Sequence, residues 1–200
     1  MARSPYKTVL LFGGPGSGKG TQGRALGALP QFVHVSSGDI FRGLSSQSNI
    51  GQEFRSFSSK GLLVPDELTL LVWLRYMTGL EHLEHFVPEY HILISDGIPR
   101  TTAQADMLAE HIDILQILYF EMEQSRLVSR LRGRALKENR VDDAKEEVIR
   151  KRIQIYEEAT KPVLDKYPSD LIRRINADQT MPAVARDVFA AVAEVVPPAS

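Results

Sequence analysis

Gly13-Gly14-Pro15-Gly16-Ser17-Gly18-Lys19-Gly20-Thr21-Gln22 sets Gly13 and Gly18 five residues apart, with a lysine directly after the second. Glycines let the backbone curl until successive N–H groups point inward, the concavity that an anion fills. A helix opening behind such a loop adds its positive end, and Lys19 adds a mobile cation. Gly16, Ser17, Gly18, Lys19, Gly20 and Thr21 are therefore expected to hold the phosphates of a nucleoside triphosphate. The residue after Lys19 is Gly20, not Ser or Thr, so the first hydroxyl arrives at Thr21. Magnesium would then be held mainly by phosphate oxygens and water.

A phosphate loop needs a strand before it and a helix after it. Thr8–Phe12 is a short apolar run that stops at the glycines, as a buried parallel strand does. Phe32–Val35, His91–Ile94 and Ile114–Phe120 are comparable runs, and Leu171–Ile175 is a weaker fifth. Apolar residues at helical spacing predict helices over Asp66–Met77, Ala103–Ile112, Val141–Lys161 and Pro182–Val195. Asp143 and Glu146 offer a capping box for the third of these, and Pro162 lies near its end. Strands alternating with helices predict an α/β fold, a five-stranded parallel sheet with helices on both faces. The serine-rich stretches 45–49 and 56–59 read as joints within a mobile excursion, not as a domain boundary.

Bulk properties restrict the class further. Twenty-four basic residues against 25 acidic ones leave a formal charge of -1, so a surface for nucleic acid is not expected and any positive field must be local. The absence of cysteine excludes disulfides and cysteine-ligated zinc. No apolar run approaches the roughly 20 residues that span a membrane, and the opening residues lead into a strand rather than a signal peptide. The expectation is a cytoplasmic, monomeric enzyme. His82 and His85, interleaved with Glu81 and Glu84, read as solvated surface rather than as a metal cluster.

The loop at 13–22 resembles that of adenylate kinases and related nucleoside monophosphate kinases. Four further segments agree in family order: His34-Val35-Ser36-Ser37-Gly38-Asp39-Ile40-Phe41-Arg42, Gly61-Leu62-Leu63-Val64-Pro65-Asp66-Glu67-Leu68, Asp96-Gly97-Ile98-Pro99-Arg100-Thr101-Thr102-Ala103-Gln104-Ala105, and Arg140-Val141-Asp142-Asp143 with Lys151-Arg152-Ile153 and Tyr156. The resemblance implies a single P-loop kinase domain over 1–200. Its core would comprise 1–35, 81–129 and 144–200, with a helical monophosphate-binding excursion at 36–80 and a short lid at 130–143. It implies reversible phosphoryl transfer from MgATP to AMP, giving two ADP.

The resemblance also distributes roles. Arg42 and Arg100 would clamp the acceptor phosphate, a task that suits the planar guanidinium fork. Arg130 and Arg134, four residues apart and so on one helical face, would serve the triphosphate. Arg140 and Arg152 would converge on the transferred group; one more residue than is common in the family separates Asp143 from Arg152. Arg126, Arg132, Arg150 and Arg173 read as ordinary solvated charges. Asp96, at the end of an apolar strand, would ligate Mg²⁺ through water. Asp142 and Asp143 would either cap a helix or fix the lid arginines. Ser37, Leu62, Leu63, Val64, Gly97, Ile98 and Pro99 would complete the AMP site, and Gln104 would read the adenine edge. The short stretch 135–139 resembles the short-lid form, which implies a zinc-free enzyme. Gln179 stands where the family usually has a glycine near the ATP adenine, which leaves ATP against GTP open. A UMP/CMP kinase is the nearest alternative and a non-catalytic nucleotide-binding module a more distant one. A GTPase-like switch lacks any Asn-Lys-x-Asp segment.

Overall fold

A computed structural model describes residues 4–138 and 145–196. Five strands, β1 (Tyr6–Gly13), β2 (Phe32–Ser36), β3 (Ile92–Asp96), β4 (Ile112–Glu121) and β5 (Ile172–Asn176), form one sheet in the order β2-β3-β1-β4-β5. All its pairings are parallel. Strand β1 is central, and its successive residues serve opposite faces, as the two-residue pleat requires. Leu10 and Phe12 enter a core with Val35, Trp73, Met77 and Ile117, whereas Val9 and Leu11 enter one with Leu26, Ile94, Phe120 and Val188. The expected fold class is therefore the observed one.

The strand order reverses direction between β1 and β3, and a crevice opens beyond their carboxyl ends. Register places Leu11 of β1 opposite both Asp96 of β3 and Leu118 of β4, so the phosphate loop and Asp96 emerge side by side. Helix α1 (Lys19–Leu26) follows the loop. Helices α2 (Ser37–Gly43), α3 (Asn49–Ser58) and α4 (Asp66–His82) build the excursion between β2 and β3. Helix α4 begins after Pro65 with Asp66 and Glu67 in its first turn, and it buries Thr69, Val72, Trp73 and Met77 at helical spacing. It runs two residues past Leu80, where the excursion was expected to end.

Helix α5 (Thr102–Leu108) is shorter than the predicted 103–112. Ile112 instead opens β4, and the Tyr6 N–H donates to His111 O at 2.9 Å, so sheet pairing claims residues whose apolar spacing also fits a helix. Helix α6 (Gln124–Glu138) takes in the first part of the expected lid, including Arg130 and Arg134. Its Leu127 and Leu131 pack with Ile149 and Ile153 of α7 (Glu146–Ile155). The N-cap of α7 falls on Lys145 with no side-chain cap. Glu146, expected in a capping box, instead meets Arg132 at 2.6 Å and Arg150 at 2.7 Å. A π turn (Tyr156–Thr160) and a 3-10 segment (Lys161–Lys166) follow, and α8 (Met181–Ala193) closes the fold. Arg140, Asp142 and Asp143 lie outside the described residues. No described helix is long and apolar enough to cross a membrane.

Candidate active site

The loop after β1 turns through glycines at positive φ, +146° at Gly13, +88° at Gly16 and +98° at Gly18, conformations that L side chains resist. It lies directly on α6: a Cβ on Gly14 would stand 2.5 Å from Leu127 Cδ1, and one on Gly16 would stand 3.0 Å from Leu131 Cγ. Helices α2, α3 and α5 are each capped by a side chain, from Ser36, Ser48 and Thr101. Helix α1 has Gly18 at its N-cap, no side-chain cap and no acid in its first turn. Its leading N–H groups are thus left to an anion, and its macrodipole favours one.

Lys19 donates its ammonium to the carbonyls of Gly13 (2.5 Å) and Gly14 (3.0 Å). Burial at the cleft base, partly opposed by Asp96 and reinforced by the charges of Arg100, Arg134 and Arg152, lowers its pKa to about 8. Asp96 ends β3, with Oδ2 3.7 Å from His34 Nε2. Burial works against its charged form, but the His34 ring, Lys19 and Arg100 outweigh that and hold the carboxyl below its ordinary range. Gly20 leaves space beside it, since a Cβ there would stand 3.3 Å from Asp96 Oδ2.

One cleft of about 630 Å³ joins the loop to the far side of the crevice. Gly16 to Thr21, Arg130, Arg134 and Gln179 line it around the phosphate loop. Ser37, Arg42, Leu62, Leu63, Val64, Gly97, Pro99, Arg100 and Gln104 line the opposite end, with Asp96 and Arg152 also on its wall. Ile98 is the exception among the described sequence-derived residues: its side chain is 2% exposed and belongs to the core beside Leu10 and Trp73. It joins Pro99 through a cis peptide bond.

The acceptor-side contacts interlock. Ser37 Oγ donates to Gly97 O at 2.7 Å, and Arg100 Nε donates to the same oxygen at 2.6 Å. Gln104 is buried; its Oε1 accepts from the Arg100 N–H at 2.7 Å and its Nε2 donates to Asp66 Oδ1 at 2.8 Å. One lone pair and one amide hydrogen remain, still enough to donate to one ring position and accept from another. Arg42 pairs with Asp39 one helical turn away. Gly97 has φ +81°, and a Cβ there would fall 2.8 Å from Ser37 Oγ and 2.9 Å from Arg100 Nη2. Gly97→Ala is expected to lower stability by about 1–3 kcal/mol and to raise the KM for the acceptor more than that for the donor, read by thermal unfolding and initial rates.

The remaining arginines differ in their settings. Arg130 donates to Ala177 O at 3.1 Å from within the cleft wall. Arg126, Arg132, Arg150 and Arg173 make exposed ion pairs with Asp178, Glu146, Glu146 and Glu194. His82 turns to Thr78 O at 2.7 Å, and no group of three or more His, Asp or Glu among the described residues is placed to hold a metal.

Several cleft residues were missed. Phe41 and Phe54 stack with centroids 5.0 Å apart and planes 11° from parallel, forming an aromatic wall on the acceptor side. Thr160, in the π turn, donates its hydroxyl to Arg100 O at 2.9 Å. The Phe41–Phe54 spacing carries no local signal, whereas a threonine just before Lys161-Pro162, where the helix must end, was a readable cue.

A lone phosphate cradle would suit a binding protein. A second cationic end facing it across one cleft suits transfer between two nucleotides, and the fold and site together define the class of P-loop nucleotide kinases. A sequence model described as adenylate kinase matches residues 11–172. An adenylate kinase from Cyanothece sp. is 38% identical over 165 residues, covering 80% of each chain. Adenylate kinases from Flavobacterium psychrophilum (35% over 168 residues; 81% of this chain and 85% of the relative) and Bacteroides thetaiotaomicron (32% over 191 residues; 92% and 97%) are similar to it as well. The chain belongs to the adenylate kinase family, whose members are phosphotransferases acting on nucleoside monophosphates.

Proposed function

We propose that this chain transfers the terminal phosphoryl group of ATP reversibly to AMP, giving two ADP. The observation that carries the reading is the convergence of charge: Arg100, Arg134 and Arg152, from three separate segments, line the same cleft as Lys19 of the phosphate loop, and their charges help to lower its pKa. Moving a phosphoryl group between two anions requires cations between the two binding ends, placed before the substrates arrive.

In this reading Gly16 to Thr21 cradle the triphosphate, with Arg130 and Arg134 beside it. Arg42 and Arg100 clamp the acceptor phosphate, and Gln104 reads adenine with its remaining donor and acceptor. Arg152 stands between the ends, and Arg140 is assigned there by resemblance. The excursion at 36–80 and the lid at 130–143 close over the substrates and exclude water, the competing acceptor.

Magnesium fits the donor set. A cation that keeps most of its water and binds chiefly to phosphates needs only one or two protein carboxylates, and Asp96 is held charged beside the loop. When bound, the metal offsets negative charge on the triphosphate. The enzyme is proposed to work without zinc.

The test is a panel of AMP, UMP and CMP at fixed MgATP. AMP is expected to be the preferred acceptor by at least about tenfold in kcat/KM, since a site built to hydrogen-bond one base rejects another that leaves its polar groups unmatched. A preference for UMP would overturn the role given to Gln104.

A further inference from the structure

The connection from β5 to α8 carries Gln179 into the wall of the cleft on the side of the phosphate loop, which Arg130, Met181 and Val184 also line. With the triphosphate on the loop and the acceptor at the Ser37–Gln104 end, this is the space left for the donor's base. Gln179 Nε2 donates to Asn176 O at 2.9 Å and to Asp187 Oδ2 at 2.8 Å. Both partners only accept: one is a main-chain carbonyl. The other is a carboxyl that Gln179 and Arg186 hold below its usual pKa, so it is ionised at neutral pH. Turning the amide over would set Oε1 against two oxygens, so its orientation follows from the chemistry of its partners. Both amide hydrogens are then in use, and among the described residues Oε1 makes no hydrogen bond.

We propose that Gln179 Oε1 selects the donor base, accepting from the exocyclic amine of a 6-amino purine and opposing the carbonyl of a 6-oxo purine, and that Asp187 is the positioning residue that holds the amide this way round. Asp187 sits on α8 outside the cleft wall and acts only through Gln179. The assignment rests on the nucleotide kinase reading above and supplies the donor preference that reading leaves open. Asparagine at 187 would relax the constraint, because its amide can donate to Oε1 and let the Gln179 Nε2 face the base, with only Asn176 O then opposing the turned amide.

The test compares ATP with inosine triphosphate, which replaces the 6-amine by a carbonyl and protonates the adjacent ring nitrogen. Dissociation constants are measured by calorimetry and kcat/KM with AMP as acceptor. The parent is expected to favour ATP. Asp187→Asn is expected to lower the ATP-to-inosine triphosphate affinity ratio roughly tenfold with the KM for AMP unchanged, the range set by one unmatched polar group. Gln179→Leu, which has no acceptor, should lower the ratio similarly. An unchanged ratio in both Asp187→Asn and Gln179→Leu overturns the proposal, as does equal loss of both nucleotides in Asp187→Asn. If Asp187→Asn fails to fold by circular dichroism, an unchanged ratio in Gln179→Leu alone overturns it. Binding is read separately from turnover, so failure to phosphorylate AMP with either donor counts against the kinase reading and leaves the affinity ratio to decide this one.

Discussion

Lys19→Met is expected to reduce ADP formation from ATP and AMP by about 10³-fold while leaving the midpoint of thermal unfolding no lower than the parent's. The ammonium is held at the cleft base against the carbonyls of Gly13 and Gly14, where burial opposes its charge and lowers its pKa to about 8. A charged group kept in an unfavourable environment contributes to function at the expense of stability, so removing it relieves the fold as it disables the site. The same group sets a pH dependence. In the free enzyme, kcat/KM for ATP is expected to fall as pH rises through about 8, because the loop loses its cation. Stability moves the other way. Below pH 8 both folded and unfolded chains carry the proton and the destabilisation is complete. Between about 8 and the ordinary lysine value of 10.5 the unfolded chain binds a proton that the folded one has released, so Lys19's contribution to stability rises with pH. Initial rates and thermal melts from pH 6.5 to about 9.5, for parent and Lys19→Met, check both limbs; a rate profile flat through pH 9 would refute the assignment.

The second large effect is expected at Arg100. Its N–H is held by Gln104 Oε1, its carbonyl by Thr160 Oγ1, and its guanidinium by Gly97 O. Few surface arginines are fixed at all three points, and the arrangement pre-sets the fork for a phosphate. Arg100→Lys keeps the charge and loses the planar fork, so kcat/KM for AMP is expected to drop by about 10²-fold, with the affinity for ATP changing less than fivefold. Steady-state kinetics with AMP varied at saturating ATP, together with ATP calorimetry, separate the two. An equal loss for both nucleotides would place Arg100 on the transferred group rather than at the acceptor.

The phosphate loop was legible because everything that specifies it is local: an apolar strand, glycines where φ must be positive, and a lysine at the helix start. Four of the strands were legible for a similar reason, as short apolar runs bounded by polar residues, whereas β5 carries Arg173 and Arg174 at its centre and reads more weakly. What escaped reading depends on partners distant in the chain. Ile112 has apolar neighbours at helical spacing, and only its pairing with Tyr6 across the sheet makes it strand. Gln104 could be placed in the acceptor site by motif, but its bond to Asp66, 38 residues away, could not. The π turn at Tyr156–Thr160 interrupts a segment whose amphipathic pattern continues unbroken, so nothing in the local sequence separates it from the α-helix before it. The pin between Gln179 and Asp187 requires the closing helix to fold back beside the β5 turn, which composition does not reveal.

Gly61 bears on how the two nucleotides influence one another. At φ +70° it meets α7 so closely that a Cβ would lie 3.0 Å from Val148 O and 3.1 Å from Arg152 Cγ. The acceptor-binding arm thus touches the helix that carries an arginine acting on Lys19. Free energy can pass between the sites through this contact, and linkage makes the exchange symmetrical: whatever factor AMP adds to the affinity for ATP, ATP adds to the affinity for AMP.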